Sequence, residues 1–308
     1  MNRQIYRALH MNKKRLLKKI FSYEEIYAVG IRKRSEEHTL LDDVSTPFTM
    51  IPTDKDHWCA DPLIYSFNGK DYLFVESFDR KAGKGVIAAA EVDDSGTYSF
   101  CTVIDEPYHL SFPMIFHWKG EIFMCPESSD NLSLNLYRCT NIPDCWEKVC
   151  ELKTTVPLVD TVVLDVQDDC VKLLASEFDP ANGLCVRYVP CTITCDHGEY
   201  RLDTDAGSAE FNLTERNAGV PFTVNGNVYL PTQQSTDIDY GVYLNIVPMG
   251  ETGQAVRLGP DDLSYEGISP EYDRIGIHTY SLTDRHEVID LRYLKFMPDK
   301  YLNRIKRS

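Results

Sequence analysis

No apolar run in this 308-residue chain approaches the roughly 18 residues that a membrane-spanning helix requires. The charged first residues are followed by neither the apolar core nor the small-residue cleavage site of a secretory signal. Ten cysteines occur without one CxxC pair: Cys139, Cys145, Cys150, Cys191 and Cys195 all have other spacings, which argues against a structural zinc. No glycine-rich phosphate loop is present, since GKG at 83–85 is only a short turn without a strand-to-helix context. GxSxG and HExxH are also missing, and with them the usual signatures of serine hydrolases and zincins.

What the chain does contain is a globular composition, 43% hydrophobic and 26% charged, enough to bury a sizeable core. Eighteen Tyr and 13 Phe beside 17 Gly and 16 Pro favour many short strands over a helical bundle. The formal charge of -15 is unevenly placed. Residues 1–20 carry seven Lys/Arg and no acid, and residues 292–308 carry six against one Asp. The remainder holds 19 basic and 46 acidic side chains, a net of -27 that makes nucleic acid an unsuitable partner. The basic start, with Ile5, Leu9, Leu16, Leu17, Ile20 and Phe21 among its cations, is expected to be a helix over 1–23. It is either a solvated terminal helix or one lying on anionic lipid. Cys59, Cys101, Cys125, Cys139 and Cys170 lie in or beside strand-like apolar runs, where a free thiol behaves as a small hydrophobe. That usage points to a reducing, cytoplasmic setting.

A repeated hairpin organises the rest. ADPLIYSFNGKDYLFVESFD (60–79) aligns with SFPMIFHWKGEIFMCPESSD (111–130) so that Pro62/Pro113, Gly69/Gly120, Glu76/Glu127 and Asp79/Asp130 match at one offset. Three further copies centre on turns at Asp168-Asp169, Asn225-Gly226 and Asp284-Arg285. Five hairpins about 50 residues apart, with strand-like segments between them, predict an all-β, five-bladed propeller over 24–308 as a single domain. EEIYAVGIRKR (24–34) is the natural strand to close the ring against the last blade.

In such a ring the first strand of every blade begins on one face and the hairpin returns its second strand there. Counting outward from each turn sets Asp61 opposite Glu76, Phe112 opposite Glu127, Asp160 opposite Glu177 and Ala218 opposite Gln233. These carboxyl groups, with Gln233 and His278, are then expected around one cavity mouth. Glycosidic bond chemistry needs such a set: a protonated carboxyl to donate to the leaving oxygen, and an ionised one to attack or to activate water. Acids at strand starts also serve simply to accept strand-end N–H groups. Trp58 and Tyr108 offer apolar faces for sugar rings. His109, in EPYHLSFP, is placed to contact substrate or to bond a turn, and His278, in GIHTYS, to contact substrate, hold a channel cation or fill the core. No cofactor is otherwise implied.

ADP at the start of blade one, an Asp at the start of blade three and a His in blade five resemble glycoside hydrolase family 43. That resemblance implies that Asp61 is the general base or nucleophile and that Asp160 tunes its pKa and position. The family's general acid, a Glu of blade four, has no counterpart: LTERNAGVPF places Ala218 there, with Glu215 three residues early. The runs YAVGI, ADPLIY, EPYHLSFP, PESS, RNAG and GIHTYS more closely resemble the propeller at the N-terminus of glucosamine inositolphosphorylceramide transferases and in stand-alone bacterial proteins encoded with surface-glycan genes. In the plant proteins transferase activity is attributed to a separate domain, so the resemblance carries fold further than chemistry.

The reading is therefore a carbohydrate-active enzyme acting on surface-glycan or glycolipid material, or a non-catalytic glycan-binding or scaffold propeller. Asp61, Asp160 and, as proton donor, Glu127 are the expected catalytic groups. Trp58, Glu76, His109 and Ser111 are expected to contact substrate, as are Glu177, Asn217, Gln233 and His278. The basic termini supply a possible contact with an anionic membrane.

Overall fold

A computed structural model describes residues 23–34, 39–54, 56–93, 96, 98–180, 184–204, 215–236, 239–250 and 252–297. The expected N-terminal helix falls outside them, except that Tyr23 already belongs to a strand. Apart from one turn of 3-10 helix at Ser129–Asn131, the described residues form strands and connecting loops.

The strands assemble into five sheets, the blades of a propeller. Blade one runs His57–Phe67, Lys70–Asp79, Lys84–Val92, Cys101–Ile104 from the axis outward; blade two runs Ser111–Trp118, Glu121–Ser128, Ser133–Asn141, Cys145–Lys153. Blade three follows with Leu158–Val166, Cys170–Asp179, Leu184–Asp196 and Glu199–Thr204. In blades four and five the inner strand is broken in two. Glu215–Asn217 and Phe222–Val224 share the partner Asn227–Gln234, and Asp273–Gly276 and Tyr280–Leu282 share His286–Phe296. The N-terminal strand closes the ring as expected, pairing from Tyr23↔Phe296 to Lys33↔His286 within blade five.

Local chemistry explains the hairpins. Asn68-Gly69, Lys119-Gly120 and Asn225-Gly226 all take positive φ at both turn positions, the geometry whose twist matches the flanking strands. The cores lie between blades: Phe74, Ile87, Ile115 and Met124 join blades one and two, and Phe123, Leu136, Leu173 and Ile193 join blades two and three. On the axis, Leu63, Phe112, Met114, Val162, Leu174 and Leu230 close together as an apolar plug contributed by four blades. Each such fully buried side chain contributes about 1.5–3 kcal/mol. All ten cysteines are free; Cys125 and Cys191 are buried as hydrophobes, but Cys101 is exposed because it sits on the outermost strand of blade one.

The hairpin register differs from simple counting. Phe67↔Lys70 to Leu63↔Phe74 follow the expected sum, but a bulge between Ala60 and Leu63 brings Ala60, not Asp61, opposite Glu76. The same slip places Ser111 rather than Phe112 opposite Glu127, and in blade three two such irregularities, between Val159 and Val162 and between Val163 and Asp165, bring Leu158 rather than Asp160 opposite Glu177. In blade four Arg216, not Ala218, faces Gln233. The extra residues swell the strand without lengthening its partner, so counting from the turn fails beyond them.

Candidate functional site

The bulges build the site. Asp61, Phe112 and Asp160 occupy equivalent points in blades one to three, and all are left-handed, with φ of 48°, 44° and 48°. Asp tolerates this region better than most side chains, whereas a bulky Phe is strained there and is held by the surrounding plug. Asp61 and Asp160 are buried, and three polar clusters form around the channel mouth.

The first cluster joins blades one and five. Asp290 accepts the backbone N–H groups of His278 (3.0 Å), Thr279 (3.0 Å) and Asp61 (3.2 Å), and lies 2.6 Å from His278 Nδ1. Thr279 Oγ1 donates to Asp61 Oδ1 at 3.0 Å. Burial pushes Asp61 up to about 6, opposed by His278 and reinforced by Asp290 and Asp160. Burial likewise works against charge on His278 and Asp290, but their mutual contact prevails, raising the histidine and lowering Asp290. Asp61, His278 and Asp290 offer ligand atoms within 4.8 Å of one another. Three backbone N–H groups and His278 already engage Asp290, so a cation at this cluster would compete with the histidine for that carboxylate.

The second cluster joins blades two, three and four. Arg216 Nε donates to Asp160 Oδ2, and its Nη2 lies 3.6 Å from Glu127 Oε2. Gln233 Nε2 donates to Asp160 Oδ2 at 3.2 Å, and Asn217 Nδ2 to the Asp160 carbonyl at 2.8 Å. Glu127 accepts the Asp160 N–H at 3.1 Å and the Ser129 hydroxyl at 2.9 Å. Burial pushes Asp160 up to about 7 against the pull of Arg216, and raises Glu127 as well.

The third cluster pairs Glu76 with His109. Gly85 N–H donates to His109 Nδ1 at 3.0 Å, so the neutral ring carries its proton on Nε2, 3.4 Å from Glu76 Oε1. A Cβ on Gly85 would stand 2.7 Å from that same oxygen and 2.6 Å from the Leu110 carbonyl, which reserves the position for glycine. Burial raises Glu76 well above the usual carboxyl range, and the charges of Asp61, Glu127 and Asp290 add to it. That mutual influence identifies the clusters as one electrostatic unit.

Aromatic rings form an arc beside these groups. Phe78 stacks on Trp58 at 4.5 Å, Trp58 meets Tyr27 at 4.8 Å, Tyr27 stacks on His278 at 5.0 Å, and Tyr240 stands edge-on to His278 at 5.4 Å. Arg216 lies over Tyr240 and Phe178. Trp58, Phe78, Phe178 and Tyr240 are all partly exposed, leaving ring surface for a ligand.

The structure thus brings together Asp61, Asp160, Glu127, Trp58, Glu76, His109, Asn217, Gln233 and His278, with Ser111 buried opposite Glu127. Glu177 stands apart, paired with half-exposed Arg187 at 2.8 Å. Tyr108 is also elsewhere, bonded to Asn135 and Lys148 of the outer strands of blade two. Glu215 turns to the opposite side of its strand from Arg216, accepting from Thr232 and Asn245 beside a 230 Å³ cavity between blades three and four. Sequence reasoning missed Asp290, Thr279, Arg216, Tyr27, Phe78, Phe178 and Tyr240. Asp290 had a signal, a lone acid inside the apolar run VIDLRYL, and Arg216 stood in ERNAG beside the glutamate that drew notice instead.

Comparison with known proteins agrees with this architecture. A protein of Bifidobacterium bifidum s17 described as a candidate exo-β-1,3-galactanase superposes with a TM-score of 0.51 at 17% identity, covering 78% of this chain and 92% of the other. Glucosamine inositolphosphorylceramide transferase 1 of Arabidopsis thaliana is 40% identical over 112 residues, 35% of this chain and 14% of that protein. Its counterpart from Oryza sativa subsp. indica is 29% identical over 228 residues, 68% of this chain and 29% of that protein. The chain therefore spans under a third of the length of these relatives. The family model for the N-terminal region of glucosamine inositolphosphorylceramide transferase 1 matches residues 46–251, a span that includes the Asp61 and Asp160 bulges, Glu76 with His109, and Arg216, and the chain belongs to that family.

Proposed function

We propose that this propeller is carbohydrate-active: its channel mouth receives a sugar, free or as a glycolipid headgroup, and its buried carboxyl groups carry acid–base chemistry at a glycosidic bond. The carrying observation is the set of carboxyl groups raised by burial beneath an arc of aromatic rings. The relatives' name, which joins glucosamine, a transferase and a ceramide lipid, supports a sugar-bearing substrate. In this reading Asp61, with a pKa near 6, is ionised at neutral pH and takes the proton of the attacking water or acceptor hydroxyl. A protonated carboxyl delivers its proton to the leaving oxygen. Glu76 suits that role better than the expected Glu127, because Glu127 accepts two hydrogen bonds and faces Arg216, all of which favour its ionised form. Asp160 and Arg216 hold the pocket's shape and charge.

A second reading has one observation in its favour. Arg216 stands in blade four, where the resemblance to family 43 calls for an acid, and binds Asp160 and Glu127 instead. A glycan-binding module would keep such a site without turnover.

The test is product release from a panel of aryl furanosides and pyranosides, and from sugar nucleotides offered with acceptors. Asp61→Asn and Glu76→Gln should each lower turnover about 10²–10⁴-fold while retaining affinity. Silence of the wild type across the panel, with a sugar still raising the melting temperature, would transfer the site to the binding reading.

A further inference from the structure

His109 and His278, the two histidines of the mouth, meet opposite partners at Nδ1. At His278 the partner is the Asp290 carboxylate, 2.6 Å away, which favours the charged ring. At His109 it is the Gly85 N–H, a donor at 3.0 Å. A second proton on Nδ1 would set one donor against another, so this contact opposes the charged ring and fixes the Nε2–H tautomer. Burial lowers His109 in the same sense, against the pull of Asp130 and Asp61. What faces Glu76 Oε1 at 3.4 Å is therefore a neutral donor.

The backbone around the ring holds it in place. Gly85 lies opposite Phe78 on the strand that carries Glu76; its carbonyl accepts the Leu110 N–H at 3.0 Å while its own N–H engages His109. One residue thus clamps two successive positions of the loop that crosses from blade one to blade two. The same loop is pinned at its start by Lys84 Nζ, which donates to Asp105 Oδ1 at 2.5 Å and to the Glu106 carbonyl at 2.6 Å. A Cβ on Gly85 would also stand 2.8 Å from His109 Cε1, so only glycine lets ring and carboxyl meet here. Among the described residues His109 is the one polar side chain paired with Glu76, since Asp61, Glu127 and Asp290 act on it only as like charges.

We infer that Gly85 fixes His109 as a neutral donor to Glu76 Oε1, a positioning residue that leaves the proton of Glu76 on Oε2 and meets the charge appearing when that proton departs. In the step, the Glu76 O–H bond breaks and an O–H bond forms at the leaving oxygen; His109 keeps its own proton throughout. A neutral donor suits this role better than a cation. An imidazolium would hold Glu76 ionised at rest, whereas a neutral N–H at 3.4 Å leaves it protonated and tightens as charge develops. Delivery to a sugar oxygen rests on Glu76 being the proton donor; the tautomer and its hold on Glu76 do not.

Nitrogen spectra of the histidine rings and carbon spectra of the glutamate carboxyls test this on the full chain, with His109 and Glu76 assigned by their loss in His109→Gln and Glu76→Gln. Wild-type His109 should stay neutral, with its proton on Nε2, from about pH 5 to about pH 8. In His109→Phe the Glu76 midpoint should rise by about one pH unit, because a hydrogen bond to the ionised carboxyl is lost. His109→Gln keeps an N–H donor and should show much less of that rise, whereas Gly85→Ala should show it with His109 intact. A charged or Nδ1–H ring in the wild type, or a Glu76 midpoint unmoved or lowered in His109→Phe, would overturn the inference; should His109→Phe not fold, the wild-type tautomer and Gly85→Ala decide it. Where the wild type turns over a sugar, His109→Phe should lower kcat roughly three- to tenfold and move its basic limb upward with the Glu76 midpoint, at unchanged KM. Silence across the sugar panel with both spectra as expected would reject Glu76 as proton donor and retain the fixed tautomer.

Discussion

The two levels of the central channel are made from the same strands and have opposite characters. At the mouth stand Asp61 and Asp160; two residues further along the same inner strands stand Leu63 and Val162, members of the apolar plug. Beyond the plug, the far end opens on a 320 Å³ cavity lined by Leu63, Ile115, Val220 and Leu282 among others. A bulge in each strand separates the levels, because it re-aims a side chain and shifts the register between the plug and the mouth. Blade two proves the point in reverse: with Phe112 at the bulge, the same geometry feeds the plug instead of the pocket. The carboxyl groups of the mouth thus lie directly above an apolar cluster, and burial is the main cause that raises them.

The sharpest way to break this contrast is to remove the cation that holds the mouth together. Arg216→Met leaves Asp160 and Glu127 buried without their partner and should cost about 3–5 kcal/mol at neutral pH, read from chemical denaturation. A loss below about 1 kcal/mol, the range of exposed pairs, would mean that water already screens the cluster. In the plug, Leu174→Ala removes a fully buried side chain and should cost about 3 kcal/mol by leaving a cavity. Unlike the first loss, this one should be independent of pH.

The smallest effect is the dependence of wild-type stability on pH. Asp61 at about 6 and Asp160 at about 7 lie above the unfolded value of 3.8, so the folded state retains protons that the unfolded chain has released. Their contribution is greatest at the acid side of that window and declines as pH rises from about 4 to about 7. His278, raised by Asp290, acts in the same direction: its contribution is complete below its unfolded value of 6.5 and fades as pH passes its folded one. Asp290 has the opposite sign and weakens the fold only as pH falls below 3.8. Unfolding free energies across this range should slope less in Asp61→Asn and Asp160→Asn, and keep the wild-type slope in Leu174→Ala. An unchanged slope in both Asn variants would place the titrating groups elsewhere.

Much of the fold was legible because its signals are local. Asn68-Gly69 and Asn225-Gly226 mark hairpins through two residues, and repetition at a constant offset counts the blades. The closing strand was legible too, since a ring of hairpins leaves YAVGI one unpaired edge to fill. The site was legible only in part. Asp61, Glu76, Glu127, Asp160, Gln233 and His278 could be placed at the mouth from strand direction alone. Their partners could not: counting from the turn assumes an unbroken ladder, and neither the bulges nor the divided inner strands of blades four and five announce themselves in composition. Glu177 illustrates the cost, since its place beside Asp160 in the count became an ion pair with Arg187 outside the cluster.

The sequence by itself determined the blade number, the closing strand, the face on which the acids gather and the segregation of basic charge into the termini, because turn chemistry, periodicity and charge are properties of neighbouring residues. Only the tertiary structure decided that Asp290 anchors Asp61 across 229 positions, that Arg216 occupies the mouth while Glu215 leaves it, and that an apolar plug lies beneath the acids. Those outcomes depend on which side chains five separate blades bring within a few ångströms of one axis, and desolvation, the largest influence on every raised carboxyl here, exists only after they have closed around it.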